Sequence, residues 1–191
     1  MRTIGIITAG GSSSRMGTDK AEIEVEGVAM IDRIADTLLA HVDEVLVVGG
    51  NRPGSLVDHD EIQGPLAGLA AGLAAADGAD AVFFSAVDHP FLQAETVRRL
   101  INRFEGSSAV VPVDREGIRQ VLCAVYSPIW AEQAEFEGIT LKGNVQSLIE
   151  RLGYTPIEPR EWEGWEEDGR SWFSVDSSTR LEDGLRRFGG R

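Results

Sequence analysis

Short apolar runs alternate with segments of helical periodicity along the first 113 residues of the chain. Almost every position is apolar at residues 3–8, 45–48 and 81–86. Apolar side chains recur every three or four positions at residues 30–42, 66–76 and 94–104. The first pattern is typical of strands buried on both faces, and the second is typical of helices. Their alternation predicts a parallel sheet that is covered by helices on both faces.

The pattern is less regular in the second half of the chain. It predicts strands at residues 109–113, 121–126 and 172–175 and helices at residues 144–152 and 181–188. No internal repeat is found, and a chain of 191 residues is expected to form a single domain over residues 1–191.

Residues 158–170, EPREWEGWEEDGR, are acidic and interrupted by Gly, Pro and Trp. Such a composition indicates an exposed loop. Trp162 and Trp165 in this loop either pack within it or stack on a ligand or a partner.

Composition narrows the classes of function. The formal net charge of −13 argues against a general nucleic-acid surface, because clustered Lys and Arg hold phosphate backbones. A small anionic ligand is still compatible, since a divalent cation and a few basic groups reverse the local field. The single cysteine, Cys123, excludes a disulfide within one chain and is expected to be a buried thiol. Neither a membrane span nor a signal peptide is indicated, so we expect a cytoplasmic protein without a membrane partner.

A Gly- and Ser-rich loop, AGGSSSRMGTDK, directly follows the first predicted strand. Ligands of doubly wound sheets bind outside the carboxyl ends of strands, so this position is informative in itself. Gly10 and Gly11 allow the backbone to approach a ligand closely. The N–H groups of Gly11 to Ser14, which include that of Ser12, are expected to form an anion nest.

Two basic side chains accompany this loop. Arg15 offers a flat fork of donors and Lys20 a compact point charge, and both are expected to neutralise phosphates. The loop is not a P-loop, because Thr18 rather than Lys follows Gly17, and it also lacks the dinucleotide fingerprint G-x-G-x-x-G. Its two glycines, three serines and two spaced cations, directly after the first strand, predict a nucleoside-triphosphate site, with a solvated turn as the alternative.

Asp88 follows the third buried strand and is expected at the same edge of the sheet as the loop. Mg²⁺ takes one or two carboxylates together with phosphate oxygens, and Asp88 is well placed to hold it. The alternative is that Asp88 forms the turn or caps a helix, and His89 is expected to be a bystander. Asp176 is predicted either to be a second metal ligand or to cap the last helix.

Four motifs then carry a family resemblance: the Ala-Gly-Gly loop with Arg15-Met16-Gly17 and Asp19-Lys20, the segment Gly64-Pro65-Leu66-Ala67-Gly68, Asp88 before Pro90, and the final FSVDSSTRLEDGL. The last is similar to a closing Asn-x-Asn-Thr-Pro-Glu-Asp-Leu element. Together the motifs resemble the molybdenum cofactor guanylyltransferases of the MobA type, and more broadly the MobA-like nucleotidyltransferases. The resemblance spans nearly the whole chain. It implies a single Rossmann-like α/β nucleotidyltransferase domain with a mostly parallel sheet.

The resemblance also implies an enzyme that transfers GMP from GTP to the terminal phosphate of molybdopterin, with Mg²⁺ as cofactor and pyrophosphate as the second product. The catalytic residues would be Arg15, Lys20 and Asp88, and the metal would be held by Asp88 with Asp176. The nucleotide would lie against Thr8, Ala9, Gly10, Gly11, Ser12, Lys20, Gly64, Pro65 and Asp88. The phosphate acceptor is already ionised near neutral pH, so no dedicated general base is required. The glycines of residues 64–72 are expected to let a helix N-terminus approach the nucleotide.

The base is expected to contact Asp60, with Asp58 as the alternative, because the loop is short. Gly49, with Asn51 two residues on, falls where the family has an Asn near the base. Ser174 and Asp176 replace the closing Asn pair.

These departures affect the positions expected to choose the base and the acceptor. A CTP-dependent cofactor cytidylyltransferase and a sugar-1-phosphate nucleotidyltransferase are therefore alternatives. A non-catalytic nucleotide-binding module is a third, and Lys20 and Asp88 argue against it, because pure binding does not need a metal carboxylate.

Overall fold

Six strands form one mixed sheet in the computed structural model, which describes residues 1–10, 19–106 and 108–190. They lie in the order β4 (Glu44–Val48), β1 (Thr3–Thr8), β5 (Ala81–Ala86), β7 (Cys123–Tyr126), β6 (Ala109–Pro112) and β8 (Tyr154–Ile157). Neighbouring strands are parallel, except that β7 runs against both β5 and β6. The carboxyl ends of the other five strands therefore meet at one edge, and the prediction of a mostly parallel sheet is confirmed.

The helices of the described residues are α1 (Met30–Leu39), α2 (Pro65–Ala75), α3 (Ala94–Asn102), α4 (Ala131–Ile139), α5 (Val145–Leu152), α6 (Pro159–Trp162) and α7 (Ser178–Phe188). A small hairpin of β2 (Glu24–Val25) and β3 (Val28–Ala29) precedes α1. The described part of the chain also contains four short 3-10 turns, at Lys20–Glu22, Pro128–Trp130, Glu163–Trp165 and Arg170–Trp172. Within the described ranges, no helix has the length and apolar character needed to cross a membrane.

Both faces of the sheet are covered by helices. Ile6 of β1 and Phe84 of β5 pack into one layer with α2, α4 and α5. Ile7, which follows Ile6, and Phe83, which precedes Phe84, pack into the opposite layer with α1 and α3. Successive side chains of a strand point to opposite faces, and all four are fully buried. This explains why β1 and β5 are continuous apolar runs.

Helix α2 lies unusually close to β1, and its glycines account for the approach. A Cβ on Gly72 would lie 2.8 Å from Ile6 Cγ2, and one on Gly68 would lie 2.6 Å from Thr8 Oγ1. We expected the glycines of residues 64–72 to let a helix N-terminus approach the nucleotide. Gly68 and Gly72 face the strand and allow α2 to pack closely on β1, whereas Gly64 lies at the start of the helix with φ of 67°.

Two C-terminal predictions are corrected. Residues 158–170 are not simply an exposed loop, since Trp162 is 1% exposed and its Nε1–H donates to the Val113 carbonyl at 2.8 Å. Its ring lies 5.3 Å from that of Trp172, so it packs within the fold. Trp165 is half-buried against the same cluster. Residues 172–175 form no strand, because the Arg170–Trp172 turn leads into an extended segment that pairs with no strand of the sheet.

Candidate active site

A cavity of about 420 Å³ opens at the carboxyl ends of β1 and β5. Seven residues that were predicted to bind the nucleotide line it, namely Thr8, Ala9, Gly10, Lys20, Gly64, Pro65 and Asp88. Asp58, Ile62, Ala67, Ala86, Val87 and Leu122 complete the lining. Gly11, Ser12 and Arg15 lie outside the described residues, so their predicted roles stay predictions.

The floor of the cavity is the end of β1, which is tied to both neighbouring strands. The Ala9 N–H donates to the Val48 carbonyl at 2.8 Å, and the Val87 N–H donates to the Thr8 carbonyl at 3.0 Å. These bonds extend the ladder past the strand ends and hold the backbone of Thr8 to Gly10 in place. A ligand in the cavity therefore meets a rigid backbone edge.

Gly49 lies behind the floor and does not line the cavity. Its φ is 75°, and a Cβ at this position would lie 2.7 Å from the Gly10 Cα. Both the positive φ and the close approach require glycine here. Gly49 thus supports the start of the Gly-rich loop from the side of β4.

The structure distinguishes Asp58 from Asp60. Asp58 lines the cavity, and its Oδ2 would lie 2.8 Å from a Cβ on Gly49. Asp60 is exposed and is not among the lining residues. Asp58 Oδ1 is buried without a hydrogen-bond partner among the described residues, and burial raises the pKa of this carboxyl. The sequence alternative, Asp58, therefore holds the position that we expected for Asp60.

Lys20 reaches the cavity from a short 3-10 turn, Lys20–Glu22. Asp19 caps this turn, because its Oδ1 accepts a hydrogen bond from the Ala21 N–H at 3.1 Å. Asn51 is exposed and lies outside the lining, and its Nδ2 donates to Asp19 Oδ2 at 3.5 Å. Asn51 thus contacts the turn that carries Lys20.

Asp88 enters the cavity from the residue pair that follows β5, and the C-terminal segment holds it there. Its carbonyl accepts a hydrogen bond from the Val175 N–H at 2.8 Å, and its Oδ2 accepts one from Ser174 Oγ at 2.8 Å. Its Oδ1 is buried and has no hydrogen-bond partner among the described residues. An unpartnered buried carboxylate oxygen beside a cavity is the donor that a hard divalent cation requires, so Asp88 fits Mg²⁺.

His89, which we expected to be a bystander, lies directly beside Asp88. Its side chain is 6% exposed, and Nε2 lies 3.6 Å from Asp88 Oδ1. Burial lowers the pKa of His89 and outweighs the opposing effect of Asp88. The imidazole is therefore neutral near pH 7 and leaves the negative charge of Asp88 available to a cation.

Asp176 is exposed and does not line the cavity. Ser177, not Asp176, caps α7, since its side chain accepts from the Arg180 N–H. Across the described ranges, no group of three or more His, Cys, Asp or Glu side chains is arranged to hold a metal ion. A cation at Asp88 would thus take most of its ligands from phosphate oxygens and water, as Mg²⁺ commonly does.

Comparison with known proteins assigns this arrangement to a family. Residues 5–155 match the family described as MobA-like NTP transferase domain. The chain is 31% identical over 187 residues to a molybdenum cofactor guanylyltransferase of Desulfosudis oleivorans, covering 93% of this chain and 92% of the relative. It is 36% identical over 195 residues to a probable molybdenum cofactor guanylyltransferase of Natronomonas pharaonis, covering 93% and 94%.

A solved structure has a similar fold. The solved structure of molybdopterin-guanine dinucleotide biosynthesis protein A from Archaeoglobus fulgidus superimposes with a TM-score of 0.79, at 18% identity, over 96% of this chain and 97% of that one. The matched family region contains the described lining residues of the cavity, from Thr8 to Leu122. The chain belongs to the MobA-like NTP transferase family and is a nucleotidyltransferase.

Proposed function

We propose that this protein transfers GMP from GTP to a molybdopterin-type phosphorylated acceptor, with Mg²⁺ bound and pyrophosphate released. The main observation is that Lys20 and Asp88 line one cavity at the carboxyl edge of the sheet, and that Asp88 Oδ1 is buried without a hydrogen-bond partner among the described residues. Relatives named for molybdenum cofactor guanylyl transfer, similar over more than nine-tenths of both chains, support the choice of substrates.

The choice of guanine rests on Asp58. Guanine presents two adjacent donors, N1–H and the N2 amino group, and a carboxylate accepts from both. Neutral cytosine presents an acceptor at N3 beside its single amino donor, so it satisfies only one carboxylate oxygen. Asp58 Oδ1, which is buried without a described partner, would gain hydrogen bonds from guanine.

The phosphates would lie between the floor of the cavity and Lys20. The backbone of Thr8 to Gly10 lies along the nucleotide, and Lys20 contacts the triphosphate as a point charge. Arg15 is proposed to add a second cation there. Placing positive charge on the phosphates stabilises the negative charge that develops on the departing pyrophosphate.

The metal would be held by Asp88. The predicted second ligand, Asp176, is exposed and lies outside the cavity lining, so it is not part of the proposed metal site. Mg²⁺, when bound there, neutralises and orients phosphate oxygens. Ser174 occupies Oδ2 of Asp88, so Oδ1 is the oxygen that would be available to the cation.

The reaction needs positioning more than covalent catalysis. An ionised oxygen of the acceptor phosphate attacks the α-phosphorus of GTP, a new P–O bond forms, and the bond to the bridging oxygen of pyrophosphate breaks. The nucleophile carries no proton at neutral pH, so no general base is required. Holding the two phosphates in line supplies most of the rate enhancement.

The test is to assay pyrophosphate release with each of the four NTPs, Mg²⁺, and either molybdopterin or a sugar 1-phosphate. We expect release only with GTP and molybdopterin together. Release with a sugar 1-phosphate in the absence of pterin would overturn the acceptor proposal, and a preference for CTP would overturn the base proposal. Asp88→Asn should abolish turnover, whereas Asp176→Asn and Asp36→Asn, at two exposed positions outside the cavity lining, should change neither turnover nor the Mg²⁺ requirement.

A further inference from the structure

We propose that Arg52 is a positioning residue that holds Lys20 at the phosphate end of the cavity. Arg52 lies in the loop that follows β4 and is not among the residues that line the cavity. The proposal rests on the phosphate-binding role proposed for Lys20.

The guanidinium of Arg52 joins two elements through four hydrogen bonds. Nε donates to Glu22 Oε1 at 2.7 Å and Nη2 to Glu22 Oε2 at 3.0 Å. Nη2 also donates to Asp32 Oδ2 at 3.0 Å, and Nη1 donates to Asp32 Oδ1. Two paired contacts of this kind use the planar fork of arginine, which a lysine does not offer.

Glu22 and Lys20 belong to the same 3-10 turn, and Asp32 lies in the first turn of α1. Arg52 therefore ties the turn that carries Lys20 to a helix of the core. The adjacent Asn51 contacts the other end of that turn through Asp19. Two consecutive residues of one loop thus hold both ends of the lysine-bearing turn.

The same loop also touches the point where the Gly-rich segment begins. Gly49 packs against Gly10, whereas Asn51 and Arg52 contact Asp19 and Glu22. Residues 49–52 therefore fix the chain on both sides of residues 11–18. This arrangement sets the position from which Lys20 enters the cavity.

Charge gives Arg52 a second effect on the phosphate site. Hydrogen bonds from Arg52 lower the pKa of both Glu22 and Asp32, so both carboxylates stay ionised near pH 7. Without Arg52, the Glu22 carboxylate, two residues from Lys20, would compete with phosphate for the lysine ammonium. Loss of Arg52 should therefore weaken the binding of phosphates without affecting the base.

A double-mutant cycle tests this proposal. Affinities for guanosine, GMP and GTP with Mg²⁺ are measured by calorimetry on the wild type, Arg52→Gln, Lys20→Met and the double variant. We expect Arg52→Gln to weaken GTP binding about tenfold and leave guanosine binding unchanged. The double variant should bind GTP no more weakly than Lys20→Met alone, because both changes remove one interaction.

Arg103→Gln is the matched control. Arg103 contacts Glu161 with the same two distances, 2.7 and 3.0 Å, but it follows α3 and lies outside the cavity lining. It should leave all three affinities unchanged. If Arg52→Gln fails to fold in a thermal-unfolding control, Asp32→Ala, which removes two of the four hydrogen bonds, replaces it in the cycle.

Three results would overturn the proposal: unchanged GTP affinity in Arg52→Gln, an equal loss for guanosine and GTP, or losses that add in the double variant. The cycle uses the NTP that the wild type binds most tightly, together with the corresponding nucleoside and monophosphate. A failure of the guanine assignment therefore changes the ligand series and leaves the test of Arg52 intact.

Discussion

The hydroxyl of Ser174 donates a hydrogen bond of 2.8 Å to Oδ2 of Asp88, which lies 86 residues earlier in the sequence. The backbone of the next residue, Val175, bonds to the Asp88 carbonyl, so the C-terminal segment holds this residue at two atoms. One carboxylate oxygen is thereby occupied and the other, Oδ1, is left without a described partner. This relationship holds Asp88 in a fixed position instead of leaving it as a mobile surface acid.

Ser174→Ala should lower metal affinity about tenfold to hundredfold, because loss of a partner that orients a metal ligand typically costs that much. The measurement is the Mg²⁺ dependence of pyrophosphate release, with saturating Mg²⁺ restoring much of the rate. Ser127→Ala removes a comparable hydroxyl bond, to the Gly106 carbonyl at 2.9 Å, away from the cavity. It should leave the Mg²⁺ dependence unchanged, and an equal effect of both variants would contradict the role of Ser174.

Asp58→Asn should weaken GTP binding by about 1.5–3 kcal/mol, the range for hydrogen bonds to a charged group, whereas Asp60→Asn should have no effect. The two residues lie in the same loop, so each serves as the control of the other. Calorimetric titration with GTP measures the difference. A larger loss of GTP affinity in Asp60→Asn would show that Asp60, and not Asp58, contacts the base.

The same carboxyl predicts a pH dependence. Burial raises the pKa of Asp58 in the folded protein, so the folded state holds the proton at a pH where the unfolded chain has lost it. Stability of the ligand-free protein should therefore fall as pH rises from the ordinary aspartate pKa through the raised one. Asp58→Asn removes this cost and should raise Tm at pH 7. An unchanged or lower Tm at pH 7 would indicate that ionisation of Asp58 costs the fold nothing.

Gly72→Ala should destabilise the protein by about 1–3 kcal/mol, the usual cost of forcing an extra methyl group into a packed interior. The new Cβ would meet Ile6 of β1, which is itself fully buried in the core. Urea unfolding followed by circular dichroism measures the change. Gly164→Ala is the control, because a Cβ there meets nothing within 4 Å, and we expect its stability to match the wild type.

The thiol of Cys123 should not react with thiol reagents in the folded protein. It is fully buried, and burial raises its pKa well above the ordinary value, so the reactive thiolate is scarce. Labelling with an aromatic disulfide reagent should follow the unfolding rate, and the denatured protein should react at once. Rapid labelling under native conditions would show that the β7 core opens locally.

The central strands of the fold were predictable from sequence because both of their faces are buried. Ala81–Ala86 is β5 with the predicted bounds, since a strand covered on both faces needs apolar side chains throughout. Helix α4 and edge strand β8 were missed. Edge strand β8 buries little of its YTPI sequence and contains a proline, so its pattern carries no clear period.

The sequence by itself determined that a Gly-rich loop and Asp88 follow buried strands, and parallel strands bring such positions to one edge. Only the tertiary structure decided that Asp58 and not Asp60 lines the cavity, because the path of an irregular loop sets which side chain turns inward. It also decided that Ser174 contacts Asp88 and that Arg52 joins Glu22 to Asp32. These contacts join residues that are distant along the chain, and no local periodicity encodes them, since they form only when separate elements pack together.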